Sequence, residues 1–187
     1  MRVFSYQNRV VNSGTTCWTG IGSDLMVRIL FTDPTETYRH NDEELVEGIR
    51  TLIRKARSSI SIHGYSLKGF QERDLFDHEL ISKLKSGVSL KIYGDSKDEV
   101  EFVCSIYRMY DVEGYSFVHR LAEGHGKYHI KAVVVDGFLT YLGSANLSIT
   151  GLHNSSEIGL IIEGNKVPEE LEFYVQHLKN TGLISRV

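Results

Sequence analysis

In the stretch YHIKAVVVDGFLTYLGSANLS, residues 128–148, four polar side chains stand where two apolar runs begin and end: His129, Lys131, Ser144 and Asn146. A histidine can attack or shuttle a proton near neutral pH. Lys131 adds a fixed cation, and Ser144 and Asn146 add hydroxyl and amide donors. Donors gathered around an imidazole suit a phosphate, because they can bind its non-bridging oxygens and stabilise charge in an in-line displacement. Acidic residues that could hold a metal are missing from this face, so the lysine and the amide would do what a metal does elsewhere. His125, His129 and His153 lack an acidic or cysteine partner at ligand spacing. Neither a metal nor a cofactor is expected.

These four residues come together if the stretch is a β-hairpin. Side chains alternate along a strand, so His129, Lys131, Val133 and Val135 share one face. Asp136-Gly137 is the dipeptide of a two-residue type I′ turn. With that turn, Val135 lies opposite Phe138 and His129 opposite Ser144, and Asn146 follows two residues on along the same face. Asp136 sits at the far end, a turn residue rather than a member of the cluster.

The elements that must carry this hairpin are legible by periodicity. LMVRILF (25–31), SISIHGYSL (59–67), VSLKIYG (88–94), YSFVHRL (115–121) and SEIGLII (156–162) read as strands. A helix opening at Asp42 places Leu45, Ile49, Leu52, Ile53 and Ala56 at helical spacing, and its RKAR end (54–57) reads as a solvated, dipole-satisfying terminus. DLFDHELISKLKSG reads as a second helix stopped by Gly87, and EVEFVCSIYRMYDVEG as a third. A last helix begins near Pro168. Strands alternating with helices predict an α/β domain with a mixed, mostly parallel sheet flanked by helices. Residues 1–24 read as a loosely structured N-terminal arm without an assignable role, and 25–187 as a single domain.

Composition narrows the function classes. The chain has 187 residues with 41% hydrophobic and 24% charged content, ordinary globular values. Its formal net charge of −3 gives no support to nonspecific nucleic-acid binding through a basic surface. Cys17 and Cys104 lack metal-like spacing and read as a reduced pair. No apolar segment approaches membrane-spanning length, and the N-terminus has no signal-peptide core, so a cytoplasmic protein without a membrane role is expected.

At His129, Lys131, Asp136, Gly143, Ser144 and Asn146 the chain matches the pattern H-x-K-x4-D-x6-G-S-x-N and resembles the phospholipase D superfamily. ISIHGYSL, LKSGVSLKIYGD and GSANLSITGLHNSSEIGLII resemble that family's framework around the motif. The resemblance implies a phospholipase D-like fold and a metal-independent phosphodiesterase acting through a phosphohistidine. His129, Lys131, Ser144 and Asn146 would be catalytic, Glu157 would hold the imidazole, and Asp136 and Gly143 would be structural. His125 and Lys127, in the GHGKYH loop, are candidates for contacting substrate. Family members bring two such motifs together and this chain carries one, so a C2 homodimer with the active site at its interface is expected.

Among substrates, nucleic acid is favoured, DNA first, as for the family's compact single-motif nucleases. A phospholipid hydrolase or phosphatidyltransferase is the alternative within the family. A non-catalytic, phosphate- or nucleic-acid-binding subunit of a defence or restriction assembly is the third. An unrestrained nuclease would endanger its own cell, which motivates a regulatory protein partner.

Overall fold

The computed structural model describes residues 7–10, 16–19, 26–32, 45–70, 75–119 and 126–187. Its elements run β1 (Gln7–Val10), β2 (Thr16–Thr19), β3 (Met26–Thr32), α1 (Leu45–Arg54), β4 (Ser59–Gly64), α2 (Asp77–Lys85), β5 (Ser89–Gly94), α3 (Lys97–Ile106) and β6 (Val112–Phe117). They continue with β7 (Lys131–Val135), β8 (Leu139–Gly143), α4 (Ile149–His153), β9 (Glu157–Glu163), α5 (Lys166–Asn180) and β10 (Ile184–Arg186). The strands form one sheet in the order β1-β2-β3-β9-β8-β7-β4-β5-β6-β10.

The sheet is mixed, but the expectation that it is mostly parallel is corrected. Only β4–β5 and β5–β6 are parallel, and every other neighbouring pair is antiparallel. A parallel pair needs a crossover, and only α2 and α3 supply one between adjacent strands. Residues 1–24, expected to be a loose arm, contribute the strand pair β1–β2, which continues the sheet beyond β3. The third helix is shorter than its pattern: α3 ends at Ile106, and Val112–Gly114, read as its last residues, open β6.

Local sequence explains the element ends. Gly87, at φ 89°, closes α2. Its N–H bonds the Leu84 carbonyl at 3.0 Å, and the Val88 N–H bonds that of Lys83 at 3.2 Å. This is the paired closure that a left-handed glycine permits. Ser96 caps α3 by accepting from the Glu99 N–H at 3.4 Å.

Strand alternation gives the sheet two unlike faces. Ile60 and Ile62 of β4, Leu90 and Ile92 of β5, and Val133 and Val135 of β7 pack into a core with Leu45, Ile49, Leu52 and Ile53 of α1. Complete burial of each such aliphatic side chain contributes about 2 kcal/mol. The opposite face carries His63 and Tyr93, and with Tyr128 it packs beneath Val175 and Leu178 of α5. His63 and Tyr93 stack with centroids 4.6 Å apart, and Tyr93 stacks on Tyr115 at 4.9 Å. The Lys179 ammonium, 3.8 Å from the Tyr115 centroid, ends the stack.

Candidate active site at the open end of the β7–β8 hairpin

The hairpin forms with a register one residue away from the expected one. Asp136 and Gly137 have φ of 54° and 62°, and the Phe138 N–H bonds the Val135 carbonyl at 3.0 Å, as the turn requires. Phe138 nevertheless stays out of the ladder, because its carbonyl accepts from the Gly164 N–H at 2.8 Å. Val135 therefore pairs with Leu139, and Ala132 with Leu142. Continued outward, this register sets Lys131 level with Gly143, and Ser144 does not face His129 by strand alternation. The chain leaves the ladder at Ser144, where the polar cluster is built by side-chain reach.

Lys131 opens β7 opposite Gly64, the last residue of β4, so the site lies where the parallel strands β4 and β5 end. The Lys131 side chain is buried, and its ammonium lies 2.8 Å from Nδ1 and 3.2 Å from Nε2 of the exposed His129. It also donates to the His129 carbonyl at 3.1 Å. An ammonium has only donors, so the ring nitrogen it touches presents a lone pair. Burial pushes the Lys131 ammonium down from its ordinary value, and the Glu157 carboxylate partly offsets that shift.

The residue before His129 is held from two sides. Tyr128 is 2% exposed; its hydroxyl hydrogen-bonds Nδ1 of His63 at 2.7 Å, and its N–H donates to the Asp95 carboxylate at 2.7 Å. Burial lowers the His63 pKa to about 3, with Lys179 adding to the shift, so this support is a neutral imidazole. Asp95 also lies 3.3 Å from Nε2 of His119.

Ser144 donates its hydroxyl to Glu157 and receives the Ile158 N–H at 3.1 Å. The carboxylate that the resemblance assigns to the imidazole is thus bonded to Ser144 within one chain. Asn146 begins the turn into α4, and among the described residues no donor reaches its buried Oδ1. Gly143 leaves room for Tyr141: a Cβ there would stand 2.1 Å from the tyrosine hydroxyl. A Cβ on its ladder partner Gly159 would stand 2.5 Å from the same ring. The Tyr141 hydroxyl is itself buried, with no hydrogen-bond partner among the described residues.

Asp136 lies at the other end of the hairpin. Its carboxylate accepts from the N–H groups of Arg57, Ser58 and Ser59 and from the Ser58 hydroxyl, at 2.8–2.9 Å. Burial raises its pKa, but the hydrogen bonds from Ser59, Ser58 and Arg57 outweigh that and leave the carboxyl below its usual range. Lys127 is exposed and donates to the Tyr65 hydroxyl at 2.9 Å. His125 lies outside the described residues.

The structure therefore pairs Lys131 with His129 and Ser144 with Glu157, with the Glu157 carboxylate near enough to act on the Lys131 ammonium, Asn146 on the adjoining turn and Asp136 apart. Tyr65, His63, Tyr128 and Asp95 are the participants that sequence reasoning missed. Three of them follow or precede a strand or motif residue directly, but nothing in their types distinguished them from core. Among the described residues, no three His, Cys, Asp or Glu side chains converge as a metal-ligand set, and no helix is long and apolar enough to cross a membrane.

The chain is similar to several known proteins. Residues 49–179 match the family model described as cardiolipin synthase, PLD-like domain. The chain is 26% identical over 121 residues to the DISARM protein DrmC of Bacillus paralicheniformis, which covers 64% of this chain and 50% of that protein. The chain thus spans about half the length of this relative. Its fold is similar to that of NucT from Helicobacter pylori, with a TM-score of 0.61, 16% identity and coverage of 84% of this chain and 97% of NucT. For Nuc, a phospholipase D family member from Salmonella typhimurium, the values are 0.59, 19%, 88% and 99%. For the phosphatidylserine synthase of Haemophilus influenzae they are 0.64, 14%, 91% and 42%.

Proposed function

Since the chain belongs to the phospholipase D superfamily, we propose that it is a metal-independent phosphodiesterase that cleaves nucleic acid, DNA first, as an endonuclease. The observation that carries this reading is the contact between the Lys131 ammonium and the His129 imidazole at the exposed end of the hairpin. A phosphate entering there offers the ammonium a charged oxygen in place of a neutral ring nitrogen, a stronger hydrogen bond. As Lys131 turns to the phosphate, the imidazole lone pair is released. The imidazole attacks phosphorus, the P–O bond to the leaving oxygen breaks, and a second imidazole protonates that oxygen. Water then attacks the phosphohistidine, the P–N bond breaks, and the second imidazole takes the water's proton. Ser144 and Asn146 bind the non-bridging oxygens, and Glu157 fixes Ser144.

The second imidazole comes from another copy of the chain in a C2 dimer. Support for that seam lies beside Glu157, where Ile158 is 47% exposed. An exposed aliphatic side chain next to the site suits burial against a twin.

The test incubates purified protein with labelled single- and double-stranded DNA, RNA and phospholipid vesicles, with and without EDTA, beside His129→Ala. Cleavage of DNA in excess EDTA, lost in the variant, is expected. Activity abolished by chelator and restored by magnesium overturns the metal-free route. Headgroup release without nucleic-acid cleavage moves the substrate to phospholipid. Sedimentation of the same sample is expected to give a dimer.

The likeness to DrmC favours a second reading, in which the chain works within a defence assembly and needs a protein partner. Vigorous cleavage of arbitrary duplexes by the isolated protein would count against it.

A further inference from the structure

We propose that Tyr65 is a positioning residue with two separable tasks: its ring sets the His129–Lys131 pair for turnover, and its hydroxyl holds Lys127 ready for a second phosphate of a polyanionic substrate. The roles given to His129 and Lys131 rest on the phosphodiesterase reading above; the contacts themselves do not.

Tyr65 follows directly on Gly64, the β4 residue level with Lys131. Its ring centroid lies 4.5 Å from that of His129, with the planes tilted by 45°. The Lys131 ammonium lies 5.4 Å from the same ring centroid and the Lys127 ammonium 5.2 Å. Lys127 also donates to the hydroxyl at 2.9 Å. One side chain therefore lies against His129, Lys131 and Lys127 together.

His129 is exposed and lies two residues before the first residue of β7, so the strand does not fix its rotamer. The tyrosine ring supplies a wall on one side of the imidazole, and Lys131 supplies the other constraint. An aromatic ring also attracts both ammonium groups to its electron-rich surface and keeps two like charges near each other. Lys127 is exposed, and a free lysine there would sample many rotamers. The hydroxyl holds it, so a phosphate chain reaching the site meets two aimed cations. A single phosphatidyl headgroup presents one phosphodiester, whereas a nucleic acid presents a run of neighbouring phosphates that can use both.

Substitutions separate the tasks. Tyr65→Phe keeps the ring and loses the acceptor: kcat for DNA should hold while KM rises about fivefold. Tyr65→Leu removes the wall, and kcat should fall about a hundredfold. Lys127→Ala should raise KM as Tyr65→Phe does, and the double variant should be no worse than either. KM effects that multiply in the double variant overturn the Lys127 task.

The His129 ring resonances, followed by NMR in the free protein, need no substrate. They should move in Tyr65→Leu and stay in Tyr65→Phe. Unchanged resonances in Tyr65→Leu overturn the ring's task. If the wild-type protein cleaves no phosphodiester while these resonances behave as expected, the functional reading fails and the positioning stands.

Discussion

The two ends of the β7–β8 hairpin use similar polar residues and differ in how far those residues are satisfied. At the turn, the Asp136 carboxylate accepts four hydrogen bonds and ties the α1–β4 connection to the hairpin. At the open end, among the described residues, the Asn146 Oδ1 is buried without a partner, and the Lys131 ammonium rests on the His129 ring. Buried polar groups are normally paired, so such a group is an exception to the rule that the turn obeys. Both ends belong to one sequence motif. The carboxylate at one end is fully engaged, and the amide oxygen at the other is not.

The sharpest way to break this comparison is His129→Ala. Turnover should fall by roughly 10⁴-fold or more, while the thermal midpoint, read by calorimetry, stays near that of the wild type because the side chain is exposed. Next in size, Lys131→Met keeps the buried stem and removes the charge; kcat should fall by about 10²–10³-fold. At the turn the pattern reverses. Asp136→Ala should cost about 2 kcal/mol in urea denaturation and leave kcat per folded molecule unchanged. A large loss of kcat at constant stability would erase the distinction between the two ends.

The smallest effect is in the pH dependence. The Asp136 pKa is lower in the folded chain than in the unfolded one. The stability it adds is therefore complete above the ordinary carboxylate range near pH 4, and it is lost as pH falls through the lower native value. Denaturation midpoints between about pH 5 and 2 should fall less steeply in Asp136→Ala than in wild type.

Much of the fold was legible because its central strands are apolar on at least one face and its helices carry regular stripes. Three features were not. QNRV and TCWT lack apolar alternation, and nothing in them announces the strands at the sheet's end. The amphipathic pattern of α3 runs on through Tyr107, which is buried, so periodicity alone could not mark the helix end at Ile106. The hairpin's turn chemistry was legible, but its register was not. Phe138 is drawn out of the ladder by Gly164, a partner 26 positions away that no local rule contains. For the site, residue types singled out His129, Lys131 and Ser144 as candidates, and the structure sets them at one end of the hairpin. The supports from Tyr65, Tyr128, His63 and Asp95 depend on which strand ends meet, a tertiary fact.

The motif glycine has a consequence for how this site can evolve. Gly143 and Gly159 are not among the residues with left-handed backbone, so neither serves as a hinge. They are paired in the β8–β9 ladder, and the Tyr141 ring lies against both on one face of the sheet. The ring thereby covers the ladder beside the segment bearing Ser144 and the strand start bearing Glu157. A methyl group on either glycine would push the ring off that floor, so positions 141, 143 and 159 can drift only as a trio.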